Sequence, residues 1–96
     1  MRQVISGGAD GLWPATALTR VAERRLREYH FPHRFDHLVY PEAGHAIGFP
    51  NVVTTTSRFK HAVSGEQIDL GGSPGATAEA SRDAWPRVLA FLAESL

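Results

Sequence analysis

The chain has 96 residues, ten Lys and Arg balanced by ten Asp and Glu, a formal net charge of zero and no cysteine. A chain of this length is below the size at which polypeptides divide into domains, and its hydrophobic fraction of 43% excludes an intrinsically disordered protein. The balanced charge excludes a broad basic surface for nucleic acid or an anionic membrane, and the lack of cysteine excludes a disulfide framework, a thiolate zinc site and a cysteine nucleophile within these residues.

Targeting and cofactor signals are missing from the sequence. The N-terminal residues 1–8 lack the apolar core of a signal peptide, and no segment approaches the length of a membrane span. We therefore expect a cytoplasmic protein that binds neither nucleic acid nor membrane. We expect no cofactor.

The first 40 residues predict a strand, a helix and a second strand. Residues 2–6 are a short run with β-branched apolar residues, and residues 35–40 are a second candidate strand. Between them a helix is predicted over 14–30, with Pro14 in its first position and Pro32 after its end. Its apolar stripe consists of Leu18, Val21, Ala22, Leu26 and Tyr29. Such a βαβ unit pairs its strands in parallel.

The second half of the chain predicts a long connection and one helix. Residues 41–75 are rich in Gly, Pro, Asn and Ser, with a candidate short strand at 52–56 and a Gly-Pro cluster at 71–75. A helical stripe follows, formed by Ser81, Trp85, Val88, Leu89, Leu92 and Leu96. Pro86 predicts a kink in this helix or two abutting segments. The predicted fold class is α/β, with the order β-α-β-loop-α and helices flanking two parallel strands.

Two polar residues suited to acid-base chemistry follow the two predicted strands. Asp10 lies in a Gly-rich turn after the first strand, and His45 lies after Gly44 beyond the second. Because functional groups gather at the carboxyl ends of parallel strands, an Asp and a His could meet there, the Asp fixing the imidazole tautomer and the His acting as a general base. Each residue also has an ordinary explanation: Asp beside Gly is a common turn signature, and a His in such a loop is often a surface residue.

The remaining candidates favour structural roles. His30, His33 and His37 have spacings reminiscent of metal ligands, but Pro32 interrupts the helix between them, so we expect no metal site. His61 has no partner that the sequence identifies. The glycines at 71–75 could offer backbone N–H groups to a phosphate, but the segment lacks the Lys of a P-loop and is better explained as the turn that starts a helix.

Two tryptophans are also expected to be structural. Trp13 and Trp85 are expected to pack in the core or against turns.

Several short motifs occur in an order that resembles a known family. They are SGGADGLWP at 6–14, HLVYPEAGHAI at 37–47, GGSP at 71–74, AEA at 78–80 and DAW at 83–85. This set, which extends over nearly the whole chain, resembles the C-terminal region of the acyl-CoA thioesterase and bile acid-CoA:amino acid N-acyltransferase family. Two departures occur: Ala9, where family members often carry an acidic or polar residue, and Pro86 within the last helix.

The resemblance implies a fold and a pair of catalytic residues. Residues 1–96 would be the C-terminal part of a single α/β-hydrolase domain, with Asp10 as the triad acid and His45 as the triad base. Together with a nucleophile they would transfer an acyl group from an acyl-CoA substrate to water or to an amino-acid amine. The sequence does not decide between these two acceptors.

The nucleophile expected for this family is a Ser or Cys in a Gly-x-Ser/Cys-x-Gly elbow. Ser6 lacks the leading glycine, and the other serines stand in contexts that do not predict an elbow. These are Ser57, Ser64, Ser73 and Ser81. The resemblance therefore places the nucleophile and the oxyanion hole in an absent N-terminal part, upstream of residue 1, and implies that the chain alone would show at most trace hydrolysis.

A second hypothesis is a catalytically inert remnant that acts as a binding or assembly module. Two strands and two helices leave a sheet edge and one face uncovered. We therefore expect the chain to associate with itself or to dock onto the rest of a hydrolase domain.

Overall fold

A computed structural model describes residues 2–48 and 58–96. Within these residues the chain forms four strands and two helices. In chain order they are β1 (Arg2–Gly7), α1 (Ala15–Glu28), β2 (Phe35–Tyr40), β3 (Arg58–Lys60), β4 (Gln67–Asp69) and α2 (Pro74–Ser95). The candidate strand at 52–56 lies outside the described residues. The mixed α/β class predicted from the sequence is confirmed.

The central sheet pairs β1 and β2 in parallel, as the βαβ pattern predicts. The register runs from Arg2 opposite Phe35 to Gly7 opposite Tyr40. Side chains alternate between the two faces of a strand. The hydroxyl of Ser6 bonds to Thr16 of α1 on one face, and the hydroxyl of Tyr40 bonds to Asp83 of α2 on the other. The two helices therefore cover opposite faces of the sheet.

The first helix is shorter than the sequence predicts, and most of its apolar stripe is exposed to solvent, Leu26 being the half-buried member. Pro14 is the N-cap residue and not the first helical residue, and the helix ends at Glu28 because His30 turns into the left-handed region at φ 55°. Leu18 and Val21 are more than half exposed, at 56% and 52%. Five positions of the helix are half-buried. They are Ala15, Thr16, Thr19, Glu23 and Leu26.

The second helix starts seven residues before the predicted stripe and continues through Pro86. Ser73 is its N-cap residue, its hydroxyl accepting the N–H of Ala76 at 3.1 Å, and Pro74 occupies the first turn, where no donor is needed. Since one helix spans Pro74–Ser95, the expectation of two abutting segments is wrong. Pro86 is exposed, so its ring lies on the solvent side. None of the described helices is long and apolar enough to cross a membrane.

A short hairpin that the sequence pattern does not predict precedes α2. β3 and β4 pair antiparallel from Arg58 opposite Asp69 to Lys60 opposite Gln67. Within the hairpin turn, the ring of His61 accepts the backbone N–H groups of Val63 and Ser64 through Nδ1. This histidine therefore stabilises its own turn.

Candidate active site

The carboxyl ends of β1 and β2 bring Asp10 and His45 together, although 35 positions separate them in sequence. Nδ1 of His45 lies 3.0 Å from Oδ2 of Asp10. The parallel register places both strand ends at one edge of the sheet, which is why two separate turns meet. An ionised carboxylate can only accept, so Nδ1 of the imidazole carries a proton, and in the neutral ring the lone pair is then on Nε2.

The turn after β1 holds the carboxylate of Asp10 in place. Oδ1 accepts the backbone N–H of Leu12 at 2.8 Å and that of Trp13 at 3.2 Å. The Asp10 side chain is only 4% exposed. Burial alone would raise its pKa, but the hydrogen bonds from His45 and from these two N–H groups outweigh burial and lower the pKa of Asp10. The carboxylate therefore stays ionised beside the imidazole.

The imidazole of His45 is held on one side and open on another. Its ring lies perpendicular to the indole of Trp13, with 4.6 Å between centroids and 89° between planes. The His45 side chain is 31% exposed. Within residues 2–48 and 58–96, nothing hydrogen-bonds to Nε2 of His45. The arrangement thus favours one tautomer and leaves Nε2 without a hydrogen-bond partner among these residues, on a partly exposed ring.

The segment after β4 lies against both turns and fixes their spacing. The carbonyl oxygen of Leu70 accepts the N–H of Gly11 at 3.0 Å and the N–H of His45 at 2.8 Å. Gly71 has φ 71°, and a Cβ there would clash with the carbonyl of Ala9. A Cβ on Gly44 would clash in turn with the carbonyl of Gly71. Glycine is required at both positions because three backbone segments meet without room for side chains.

Helix α2 anchors the loop that carries His45 with two buried hydroxyls. Oγ1 of Thr77 accepts the N–H of Gly44 at 3.0 Å, and Oγ of Ser81 accepts the N–H of Gly48 at 3.1 Å. Ser81 in turn donates to the carbonyl of Thr77 at 3.0 Å. Sequence pattern does not predict this pair. Its one signal was the spacing of four between two hydroxyl residues, which places them on the same helix face.

Ser73 has the spacing of a nucleophile elbow but not its geometry. The segment Gly71–Gly75 has the literal spacing of a Gly-x-Ser-x-Gly elbow, so the expectation that no serine stands in such a motif is wrong for the spacing of Ser73. The geometry differs from an elbow, because Ser73 is an unstrained N-cap residue with φ −107° and ψ 150° and its hydroxyl accepts the N–H of Ala76. The next residue is Pro74, which has no N–H to donate to an oxyanion.

No serine in residues 2–48 and 58–96 hydrogen-bonds to His45. Ser6 is buried under α1, where its Oγ lies 2.6 Å from Nε2 of His37 and 2.8 Å from Oγ1 of Thr16. Burial lowers the pKa of His37, with the charge of Glu23 raising it and that of Arg20 lowering it. This cluster lies on the α1 face of the sheet and belongs to the packing of that helix.

The other sequence candidates lie outside the site. The rings of Phe31 and His33 contact each other after α1, and His30 is exposed. The described residues contain no group of three or more His, Cys, Asp or Glu that could hold a metal ion. Trp85 is half-buried in α2, and Trp13 is 52% exposed in the turn after β1, so Trp13 does not pack in the core, the first of the two structural roles expected for it.

Comparison with known proteins identifies a family for the chain. Residues 2–96 match the family model described as the BAAT / Acyl-CoA thioester hydrolase C terminal. Human acyl-coenzyme A thioesterase 6 is 35% identical over 92 residues, which are 96% of this chain and 21% of that protein. The chain thus spans about a fifth of the length of the curated relative it matches. It belongs to the BAAT and acyl-CoA thioester hydrolase C-terminal family.

Proposed function

We propose that this chain supplies the acid and the base of an acyl transfer from acyl-CoA thioesters. The observation that carries the proposal is the 3.0 Å hydrogen bond between Nδ1 of His45 and Oδ2 of Asp10, on an imidazole whose side chain is 31% exposed. The family match supports thioester chemistry. The relative's name, acyl-coenzyme A thioesterase, suggests the substrate class.

The proposed reaction begins with proton transfer to Nε2 of His45. A Ser or Cys nucleophile loses its proton to that nitrogen and attacks the thioester carbonyl. The C–S bond then breaks, CoA leaves as the thiol with the proton returned by the imidazolium, and an acyl-enzyme remains. Water or an amino-acid amine, deprotonated by the same nitrogen, attacks the acyl carbon, the bond to the Ser or Cys breaks, and the imidazolium returns the proton to that nucleophile as the product leaves. Asp10 stabilises the imidazolium in each step.

The nucleophile and the oxyanion donors in this proposal come from outside the 96 residues. The chain has no cysteine, Ser73 is committed to the start of α2, and Ser6 is buried against His37. We propose that these residues form the closing β-α-β-loop-α part of an α/β-hydrolase unit. Exposed apolar residues on both helices, including Leu18 at 56% and Leu92 at 46%, are surfaces for the remainder of such a unit.

The same exposed surfaces favour the second candidate, an inert module that binds or assembles. An assembly module requires an exposed apolar face, but binding alone does not require an ionised carboxylate buried beside an imidazole. The two candidates therefore differ in one respect that can be measured: whether chemistry depends on His45 and Asp10.

A chimaera separates them. The matching 92 residues of human acyl-coenzyme A thioesterase 6 are replaced with this chain, and thiol release from palmitoyl-CoA is measured. We expect thioester cleavage that His45→Gln and Asp10→Asn each reduce by about 10²- to 10⁴-fold. His33→Gln, a matched change at an exposed ring, and Ser73→Ala should leave the rate within about twofold of the chimaera, because simple surface and cap changes do not touch the chemistry.

Two results would overturn the enzymatic proposal. One is thioester cleavage that survives His45→Gln. The other is a folded chimaera without activity beside an active human parent, which would favour the inert module.

A further inference from the structure

An exposed aromatic residue stands directly against the candidate base. Trp13 is 52% exposed, which is unusual for the largest apolar side chain, and its ring contacts that of His45 at 4.6 Å. Packing into a core does not explain this position. Its contact with His45 does.

The backbone of Trp13 is held in place on both sides. Its N–H donates to Oδ1 of Asp10 at 3.2 Å, and its carbonyl accepts the N–H of Ala15 at 2.8 Å. Pro14 follows and restricts the backbone of Trp13 to extended conformations. The indole is therefore carried by a rigid turn that is tied to the carboxylate partner of His45.

The hydrogen bond to Asp10 alone does not fix the imidazole of His45. A half turn of the ring exchanges Nδ1 with a carbon atom and breaks that bond, and the ring is 31% exposed, so solvent can reach it. The perpendicular indole occupies the space beside the ring. Aromatic pairs of this geometry stabilise each other beyond their buried area.

We propose that Trp13 is a positioning residue that holds the His45 imidazole in its bond to Asp10. The proposal rests on the role assigned to Asp10 and His45. Trp13 does not exchange protons. It limits the orientations from which His45 can do so.

The test is nuclear magnetic resonance on the 96-residue chain with ¹⁵N-labelled histidine, which reports the tautomer of His45 and the exchange rate of its Nδ1 proton. We expect Trp13→Ala to increase the population of rings out of the hydrogen bond, and with it the exchange rate, by about two- to tenfold. Trp13→Phe should restore most of the protection because it keeps a ring in the same place.

Leu12→Ala is the matched control. Leu12 is 43% exposed and its backbone N–H also donates to Asp10, but its side chain is not an aromatic partner of His45. Truncation of the Leu12 side chain should leave the exchange rate of the His45 Nδ1 proton unchanged. Trp13→Leu keeps an apolar side chain without a ring and serves where Trp13→Ala perturbs folding.

An exchange rate that is unchanged in both Trp13→Ala and Trp13→Leu would overturn the proposal, as would an equal increase in Leu12→Ala. The readout does not involve hydrolysis. An inactive chimaera with a normal Trp13 effect would reject the proposed function alone, and an active one without a Trp13 effect would reject the positioning role alone.

Discussion

The carbonyl oxygen of Leu70 accepts the backbone N–H of His45 at 2.8 Å, so a segment that follows the β3–β4 hairpin fixes the backbone position of the candidate base. The same oxygen accepts the N–H of Gly11, one residue after the candidate acid, at 3.0 Å. One backbone atom thus ties the two turns of the site together. The geometry of the Asp10–His45 pair depends on where this segment lies.

Gly71→Ala is expected to displace that segment. Gly71 adopts φ 71°, and a Cβ there would collide with the carbonyl of Ala9. A strained backbone of this kind costs about 1–3 kcal/mol of the free energy of unfolding, measurable by urea denaturation. Gly75→Ala is the control: a Cβ on Gly75 meets nothing within 4 Å, and alanine should leave the helix as stable or more so. Equal effects of the two changes would contradict this account.

Thr77→Val is expected to loosen the His45 loop. Valine has nearly the same shape as threonine but cannot accept the N–H of Gly44, which would remain buried without a partner. The expected loss in the free energy of unfolding is about 1–3 kcal/mol. Thr77→Ser keeps the hydroxyl and should lose less. Amide hydrogen exchange at Gly44 provides the local measurement, and an unchanged exchange rate in the valine variant would refute the anchoring role.

The stability of the chain should fall in mild acid through His37. Burial lowers the pKa of this imidazole below its ordinary value of 6.5. The folded state therefore disfavours the protonated ring, so the contribution of His37 is complete above pH 6.5 and is lost as the pH falls below it.

His37→Gln should flatten this dependence, because an amide can bond to Ser6 without titrating. His33→Gln, at an exposed ring, should retain it. Thermal unfolding followed by circular dichroism between neutral and mildly acidic pH measures both variants. A wild-type pH dependence in His37→Gln would show that another group is responsible.

A second pH dependence is expected in strong base, through Tyr40. Burial, together with the bond its hydroxyl donates to Asp83 at 2.6 Å, raises the pKa of Tyr40 from 10.0 to about 12. The folded state favours the neutral phenol, so this contribution is complete below pH 10.0 and is lost as the pH rises towards 12. Tyr40→Phe removes it and should cost about 1 kcal/mol at neutral pH.

Tyr29→Phe is the control for that change. Tyr29 is 74% exposed, and its replacement leaves the bond to Asp83 intact. Denaturant unfolding at neutral and at high pH compares the two variants. If Tyr40→Phe loses stability in base as steeply as the unchanged chain, the phenol is not the group that titrates.

The purified chain is expected to self-associate at micromolar concentration. Apolar side chains on both helices are open to solvent, among them Leu18 at 56%, Leu89 at 49% and Leu92 at 46%. Leu18→Lys and Leu92→Lys should each shift the sedimentation profile towards monomer. Arg82→Ala, a change at an exposed polar position of α2, should not. A monodisperse monomer of the unchanged chain at that concentration would contradict the prediction.

The parts of the fold that the sequence predicts are those set by local pattern. Alternation and helical period locate β1, α1 and β2, and the rule that parallel strands end at one edge of the sheet brings Asp10 and His45 together. These inferences need no knowledge of how distant segments pack. Their boundaries moved by only a few residues.

The parts that sequence pattern does not reach depend on contacts between distant segments. Thr77 and Ser81 each bind a residue 33 positions away, and Leu70 reaches back to both turns. The exposure of the α1 stripe could not be predicted either, because periodicity identifies an apolar face but not what covers it. Ser73 shows the opposite case: its residue spacing matches a Gly-x-Ser-x-Gly elbow, but its backbone angles are those of an N-cap residue.

The two hydroxyls of α2 have a further consequence for the length of the segment between Gly44 and Gly48. Thr77 and Ser81 are four residues apart, which is a rise of about 6 Å along a helix. The segment that carries His45 is therefore attached at both ends to positions about one turn apart on α2, so its length must match that distance. A residue inserted into or deleted from this segment would break one of the two hydrogen bonds to α2 and turn the imidazole away from Asp10. A substitution at the exposed Ala46, which keeps the length of the segment, would be tolerated far better.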